Sequence, residues 1–213
     1  EVICHGVPSP AIWRKYLGEV CERRGIATKE VLGVEFRNKD YSWHRYGMKI
    51  RAKGGTIYRK DRYNDPYLKA FLTNLTLRSS CHNCPAKGFA SQSDITAGDY
   101  WGVGNHHPQT DDGKGVSCLL VRNTSLLRFF DERKMELIPT KYEYISASNP
   151  ALERSALPNP KKAEYLQRLR SEAFFKCTEA YTKTPLSQTL KRTLRPFFSK
   201  LKHLILNPLK AIK

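Results

Sequence analysis

Apolar residues in this chain never run together for more than about five positions, against the ~20 that a membrane-spanning helix needs. They recur instead with two different periods. Ile12, Trp13, Tyr16, Leu17, Val20 and Cys21 follow helical spacing, opened by Ser9 as N-cap and Pro10 at the first helical position and closed by Gly25. Tyr46, Met48, Ile50 and Ala52 alternate as one face of a strand, with Lys49 and Arg51 pointing away. A chain of 213 residues with 40% hydrophobic content can bury a sizeable core, which excludes a disordered polymer and leaves one domain or one and a half.

Further elements follow from the same reading. Val31 to Phe36 and Thr56 to Arg59 are expected strands, the latter joined to Tyr46–Ala52 through the hairpin signal Gly54-Gly55. Asp65-Pro66 caps a second helix, whose apolar face is Tyr67, Leu68, Phe71, Leu72 and Leu75. Ser93 to Ala97 and Val116 to Val121 are short strands, and the polar stretch Asn105 to Lys114 between them is expected to be mobile. Leu126 to Arg133, Asn149 to Arg154 and Lys161 to Tyr181 are expected helices, with Pro158 and Pro160 as a break. Strands and helices are mixed, so the class is α+β (mixed α/β): a mixed sheet with flanking helices.

Charge is uneven. The net charge is +17, but Tyr181 to Lys213 holds eight Lys and Arg and no acid, leaving +9 on the first 180 residues. Leu186, Leu190, Leu194, Phe197, Leu201 and Leu204 fall on one helix face of this tail, with Pro196 as a kink. A basic amphipathic tail over residues 181–213 is expected to meet an anionic membrane surface or an acidic partner. Arg37, Arg45, Arg51 and Arg59 are candidate phosphate contacts. No aromatic-basic nucleic-acid motif is visible, so a nucleic-acid partner is not expected. There is no signal-peptide pattern, and the expected location is cytoplasmic, peripheral to the inner membrane face if the tail docks there.

Of the six cysteines, Cys21 lies on a helix stripe and reads as core, whereas Cys81-His82-Asn83-Cys84-Pro85 reads as a loop. Two thiolates at this spacing can bind zinc or an iron–sulfur cluster or form a redox dithiol. The redox dithiol reading is weak because the pair follows a helix and precedes a proline. Zinc would need His82, or His106 and His107, as further ligands. Cys4, at a strand end in the turn His5-Gly6-Val7-Pro8, is the better third candidate, with Cys118 a poor fourth. Separately, Gly98-Asp99-Tyr100-Trp101-Gly102-Val103-Gly104 is a glycine-rich turn with two aromatics that lets backbone approach a ring or a diphosphate.

Three motifs in order then carry a resemblance: Cys-His-Gly-Val-Pro-Ser-Pro (Cys4 to Pro10), Ser-Cys-His-Asn-Cys-Pro (Ser80 to Pro85) and Ser-Asp-Ile-Thr-x-Gly-Asp-Tyr-Trp-Gly (Ser93 to Gly102). The chain resembles the C-terminal region of the coenzyme F420 hydrogenase/dehydrogenase beta-subunit family over roughly residues 1 to 180, nearest to its bacterial iron–sulfur flavoprotein branch. The resemblance implies part of an oxidoreductase that relays electrons between a flavin (FAD), a [4Fe-4S] cluster and a partner, such as a ferredoxin-type domain or another redox protein. It implies that Cys4, Cys81 and Cys84 are three of four cluster ligands, the fourth belonging to a Gly-Thr-Pro-Cys turn expected upstream of Glu1. It implies a flavin segment drawn from Asp94, Gly98, Asp99, Trp101 and Gly102, with Gly115 and Ser117 as a second donor set. The rival reading is a non-enzymatic, zinc-stabilised basic binding module; a degenerate scaffold member of the same family is the third.

Overall fold

A computed structural model describes residues 1–131 and 133–183; the amphipathic stripe expected over 186–204 lies outside the described residues. Two helices begin where local chemistry says they must. Helix α1 (Pro10–Glu22) is capped by Ser9, whose Oγ accepts from Ala11 N–H. Helix α2 (Pro66–Leu72) is capped by Asp65, whose Oδ1 accepts from Leu68 N–H at 2.7 Å.

The strands divide between two antiparallel sheets within the α+β class. The first orders β1 (Val31–Asn38), β2 (Gly47–Ala52) and β3 (Gly55–Asp61), with Val34 opposite Ile50 and Ile50 opposite Tyr58. The second pairs β4 (Ile95–Asp99) with β5 (Ser117–Val121), Ile95 facing Val121 and Asp99 facing Ser117. On the other side of β4, Val2 forms a parallel bridge with Ala97, and Ile3 N–H donates to Ala97 O. The segment that carries Cys4 therefore starts as a third, parallel neighbour of the small sheet.

Each sheet has its own core. The larger gathers Tyr16 and Val20 of α1, Met48, Ile50 and Tyr58 of the first sheet, and Leu68 and Ala70 of α2. Tyr165, Leu169, Phe174 and Cys177 complete it from two late helices, α4 (Lys162–Arg168) and α5 (Phe174–Tyr181). The smaller core gathers Trp43, Tyr100, Val103, Cys118, Ile145 and Leu152 around the second sheet and helix α3 (Tyr142–Ser148). Trp101 packs against both.

Three helix expectations need correction. Leu126–Arg133 is instead a 3₁₀ segment, Thr124–Phe129, started by Asn123, whose Oδ1 accepts from Ser125 N–H; Leu127 and Phe129 stay exposed because no core faces them. Asn149–Arg154 reduces to a 3₁₀ turn, Pro150–Leu152, and the real helix of that region is α3 just before it. Lys161–Tyr181 is two helices, broken without Pro or Gly. The break is held by α1: Lys15 Nζ donates to Leu169 O at 2.5 Å, and Glu19 Oε2 accepts from Phe175 N–H at 3.1 Å. One helix thus closes the end of α4 and the start of α5. The stretch Asn105–Lys114 follows one 3₁₀ turn, Val103–Asn105, and contains another, Pro108–Thr110. Among the described residues no helix is long and apolar enough to cross a membrane.

Candidate functional site

The turn bearing Cys4 and the loop bearing Cys81 and Cys84 are interlocked. Pro8 forms a bridge with Leu77, and Arg78 N–H donates to Val7 O at 2.9 Å. Val7 N–H in turn donates to Cys81 Sγ at 3.3 Å. Gly6 is needed here, because a Cβ would meet both Leu77 methyl carbons at 2.9 Å. Lys87 reaches back across the loop and donates to Cys4 O at 2.5 Å. Cys4 is exposed, Cys81 and Cys84 are half-buried, and all three are free thiols. Among the described residues no group of three or more His, Cys, Asp or Glu side chains is gathered tightly enough to hold a metal ion. The structure joins the segments that carry the three cysteines and leaves their sulfurs as separate donors.

The remaining cysteines are elsewhere. Cys21 and Cys177 are buried on α1 and α5, and burial raises both thiols. Cys118 lies on β5 with Sγ 3.5 Å from Gly98 O, and burial pushes its thiol up to about 11. The histidines weighed as zinc ligands make other contacts. His82 places Nδ1 2.6 Å from Ala156 O and Nε2 2.9 Å from Lys162 Nζ. His106 stacks on Tyr144 at 3.8 Å, and His107 Nε2 is 3.0 Å from Thr140 Oγ1.

The glycine-rich segment has a structural use at nearly every position. A Cβ on Gly98 would lie 2.7 Å from Ile3 Cδ1, on Gly102 2.4 Å from Ser148 Oγ, and on Gly115 2.9 Å from the Trp43 ring. The spaces that missing side chains leave are filled by the chain itself. Asp99 accepts from Arg37 Nη1 at 2.5 Å and from Trp43 Nε1 at 3.1 Å, while its carbonyl accepts from Asn149 Nδ2. Trp101 stacks on Trp43. Asp94 and Ser117 are exposed, but at opposite ends of the β4–β5 ladder. A cavity of about 120 Å³ opens at the Asp94 end, lined by Gly88, Leu120, Val121, Arg122, Tyr142 and Leu152. That is well below the ~300 Å³ at which small-molecule pockets begin.

The arginines considered for phosphates each meet a carboxylate: Arg37 with Asp99, Arg45 with Asp61, Arg51 with Glu35 and Arg59 with Asp40. Lys49 and Arg59 together hold Asp40 below the ordinary carboxylate range. Sequence reading missed Trp43, Asn149, Lys87 and Ser155 as partners of these segments. None of them stands in a recognisable motif, and each acts through a contact 50 or more positions away.

Fold and site together define a small α+β domain that presents a cysteine turn and a cysteine-pair loop side by side. Residues 1–142 match the family described as the C terminus of the beta subunit of coenzyme F420 hydrogenase/dehydrogenase, and the chain belongs to that family. Membership gives it a redox-related role within a hydrogenase/dehydrogenase beta subunit. Comparison with curated proteins and with solved structures gives no significant match.

Proposed function

We propose that this chain is a redox relay module in which Cys4, Cys81 and Cys84 supply three thiolates to a [4Fe-4S] cluster, with a ferredoxin-type domain or another redox protein as electron partner. The observation that carries this reading is the interlock of the Cys4 turn with the Cys81 loop, sealed by the Val7 N–H bond to Cys81 Sγ. Hydrogen bonds to ligating sulfurs are one of the few levers a protein has over such a group. The chemistry of the donors suits such a cluster: three free thiols stand on adjoining, irregular segments, away from the buried cysteines of both cores. When bound, a cluster supplies one-electron chemistry; the chain's own part is to hold the thiolates, donate to sulfur from Val7 N–H and keep the Cys4 turn against the loop through Lys87. The fourth ligand comes from outside this set.

The FAD of the family resemblance does not fit the Asp94–Gly102, Gly115 and Ser117 set as a cradle. Ile3, Ser148 and Trp43 already occupy the glycine spaces, and Asp99 is engaged by Arg37 and Trp43.

Anaerobic reconstitution of the chain with iron and sulfide tests the proposal. The expected result is the broad visible absorption of an iron–sulfur chromophore with matching iron and sulfide, lost in Cys81→Ala and kept in Cys21→Ala. A colourless protein that holds zinc at the same three cysteines overturns it.

A further inference from the structure

Residues 150–162, beyond the part that matches the family, run along the outside of the cysteine loop. Their contacts are polar and specific. Ala151 O accepts from Lys87 Nζ at 2.7 Å, the same ammonium that binds Cys4 O. Ser155 Oγ accepts from Cys84 N–H at 2.9 Å. Ala156 O and Lys162 Nζ take the two ring nitrogens of His82, at 2.6 Å and 2.9 Å. A carbonyl can only accept, so Nδ1 carries the proton and Nε2 receives the ammonium's hydrogen. The run is pinned to the far end of α2 as well: Asn74 Nδ2 donates to Leu157 O at 2.9 Å and Asn159 Nδ2 to Thr73 O at 2.8 Å.

We propose that residues 150–162 are a strap that fixes the loop from Cys81 to Lys87 in the shape that presents its thiols, with Ser155, His82 and Lys162 as positioning residues rather than ligands. Each ring nitrogen of His82 already has a partner, which leaves it no lone pair for a metal in this arrangement. Within the described residues neither Lys87 nor Lys162 is ion-paired with a carboxylate, so the strap also sets two ammonium groups beside the cysteine segments. That charge suits a ligand group of net negative charge, as a thiolate-bound iron–sulfur cluster is. What the loop presents rests on the cluster reading; the strap itself rests only on these contacts.

The test uses the chain with Ser155→Ala and Lys162→Met, and Lys162→Arg as the variant that keeps a donor for His82 Nε2. In the metal-free protein, hydrogen exchange is read by mass spectrometry on peptides covering residues 78–88. Losing one such bond should speed exchange there by about tenfold, with the β2 and β3 peptides unchanged. After reconstitution, iron loss to a chelator should also rise by roughly tenfold, the scale of outer-partner losses around metals. Lys162→Arg should restore both. If exchange rises but no form takes up iron, the strap stands and the cluster reading falls. If the wild type takes up iron and the variants exchange and release it at wild-type rates, the strap falls and the cluster reading stands. An exchange increase shared equally by β2 and β3 also overturns the strap, since it reports global destabilisation.

Discussion

The indole rings of Trp43 and Trp101 lie 4.8 Å apart and 6° from parallel, and they form the joint between the two cores. Trp43 is fully buried in the smaller core. Arg37 of β1 lies 5.3 Å over the Trp101 ring and bonds Asp99 of β4, which also accepts from Trp43. Trp101→Ala should therefore cost roughly 3 kcal/mol, the low end for truncating a large aromatic. Urea unfolding reads the loss, and flavin extracted per chain should not change. Lost flavin with unchanged stability would instead make the ring a ligand platform.

Gly98 and Ile3 form a second tight pair. Adding a methyl at Gly98 drives it into the Ile3 side chain, so Gly98→Ala should cost about 1–3 kcal/mol by overpacking. Combining it with Ile3→Gly, which also removes the Ile3 Cβ that the new methyl would meet at 2.9 Å, should recover most of that cost beyond what Ile3→Gly loses alone. Strict additivity of the two changes in a double-mutant cycle would show that Gly98 is small for some other reason.

Asp65 gives a pH signature. It is fully buried and accepts from Leu68 N–H, Tyr16 O–H and Tyr58 O–H, all within 2.8 Å. Those donors favour the carboxylate, but burial is the larger influence and raises its pKa above the ordinary value. A carboxyl raised on folding stabilises the fold fully below the unfolded carboxylate pKa, and that contribution is lost as pH rises through the folded value. Asp65→Asn cannot titrate. The stability of the wild type relative to Asp65→Asn should therefore decline as pH rises above about 4, the ordinary carboxylate value. An advantage that grows with pH would mean that the three donors outweigh burial.

Thiol chemistry should sort the cysteines. At pH 8 a thiol raised to about 11 is only about one part in a thousand thiolate. Iodoacetamide on the folded, metal-free chain should label Cys4, Cys81 and Cys84, and leave Cys21, Cys118 and Cys177 until denaturant is added. Mass spectrometry of the peptides checks this. Rapid labelling of Cys118 in the folded chain would contradict its place against Gly98.

What could be read from the sequence was what is local. Ser9-Pro10 and Asp65-Pro66 announce α1 and α2 because a cap is a contact between near neighbours. Gly54-Gly55 announces the β2–β3 hairpin for the same reason. The order of the cysteine segments was also legible, and so was the core placement of Cys21. The break between α4 and α5 was not, since Lys15 and Glu19 make it from more than 150 positions away. Helix α3 carries no capping side chain at Lys141, and its helical form follows from burying Ile145 in the smaller core. The glycine turn misled because small residues signal close approach without saying whether a ligand or the chain itself approaches.

The double closure of α4 and α5 by α1 bears on modularity. The family match stops at residue 142, yet Tyr165 and Phe174, both wholly buried, seal the face of α1 and of the first sheet. A graft that took the matched stretch alone into another host protein would carry an open core and an unstrapped cysteine loop. A graft meant to keep the core closed and the cysteine loop strapped should therefore extend at least through Tyr181, carrying the later helices with the cysteines.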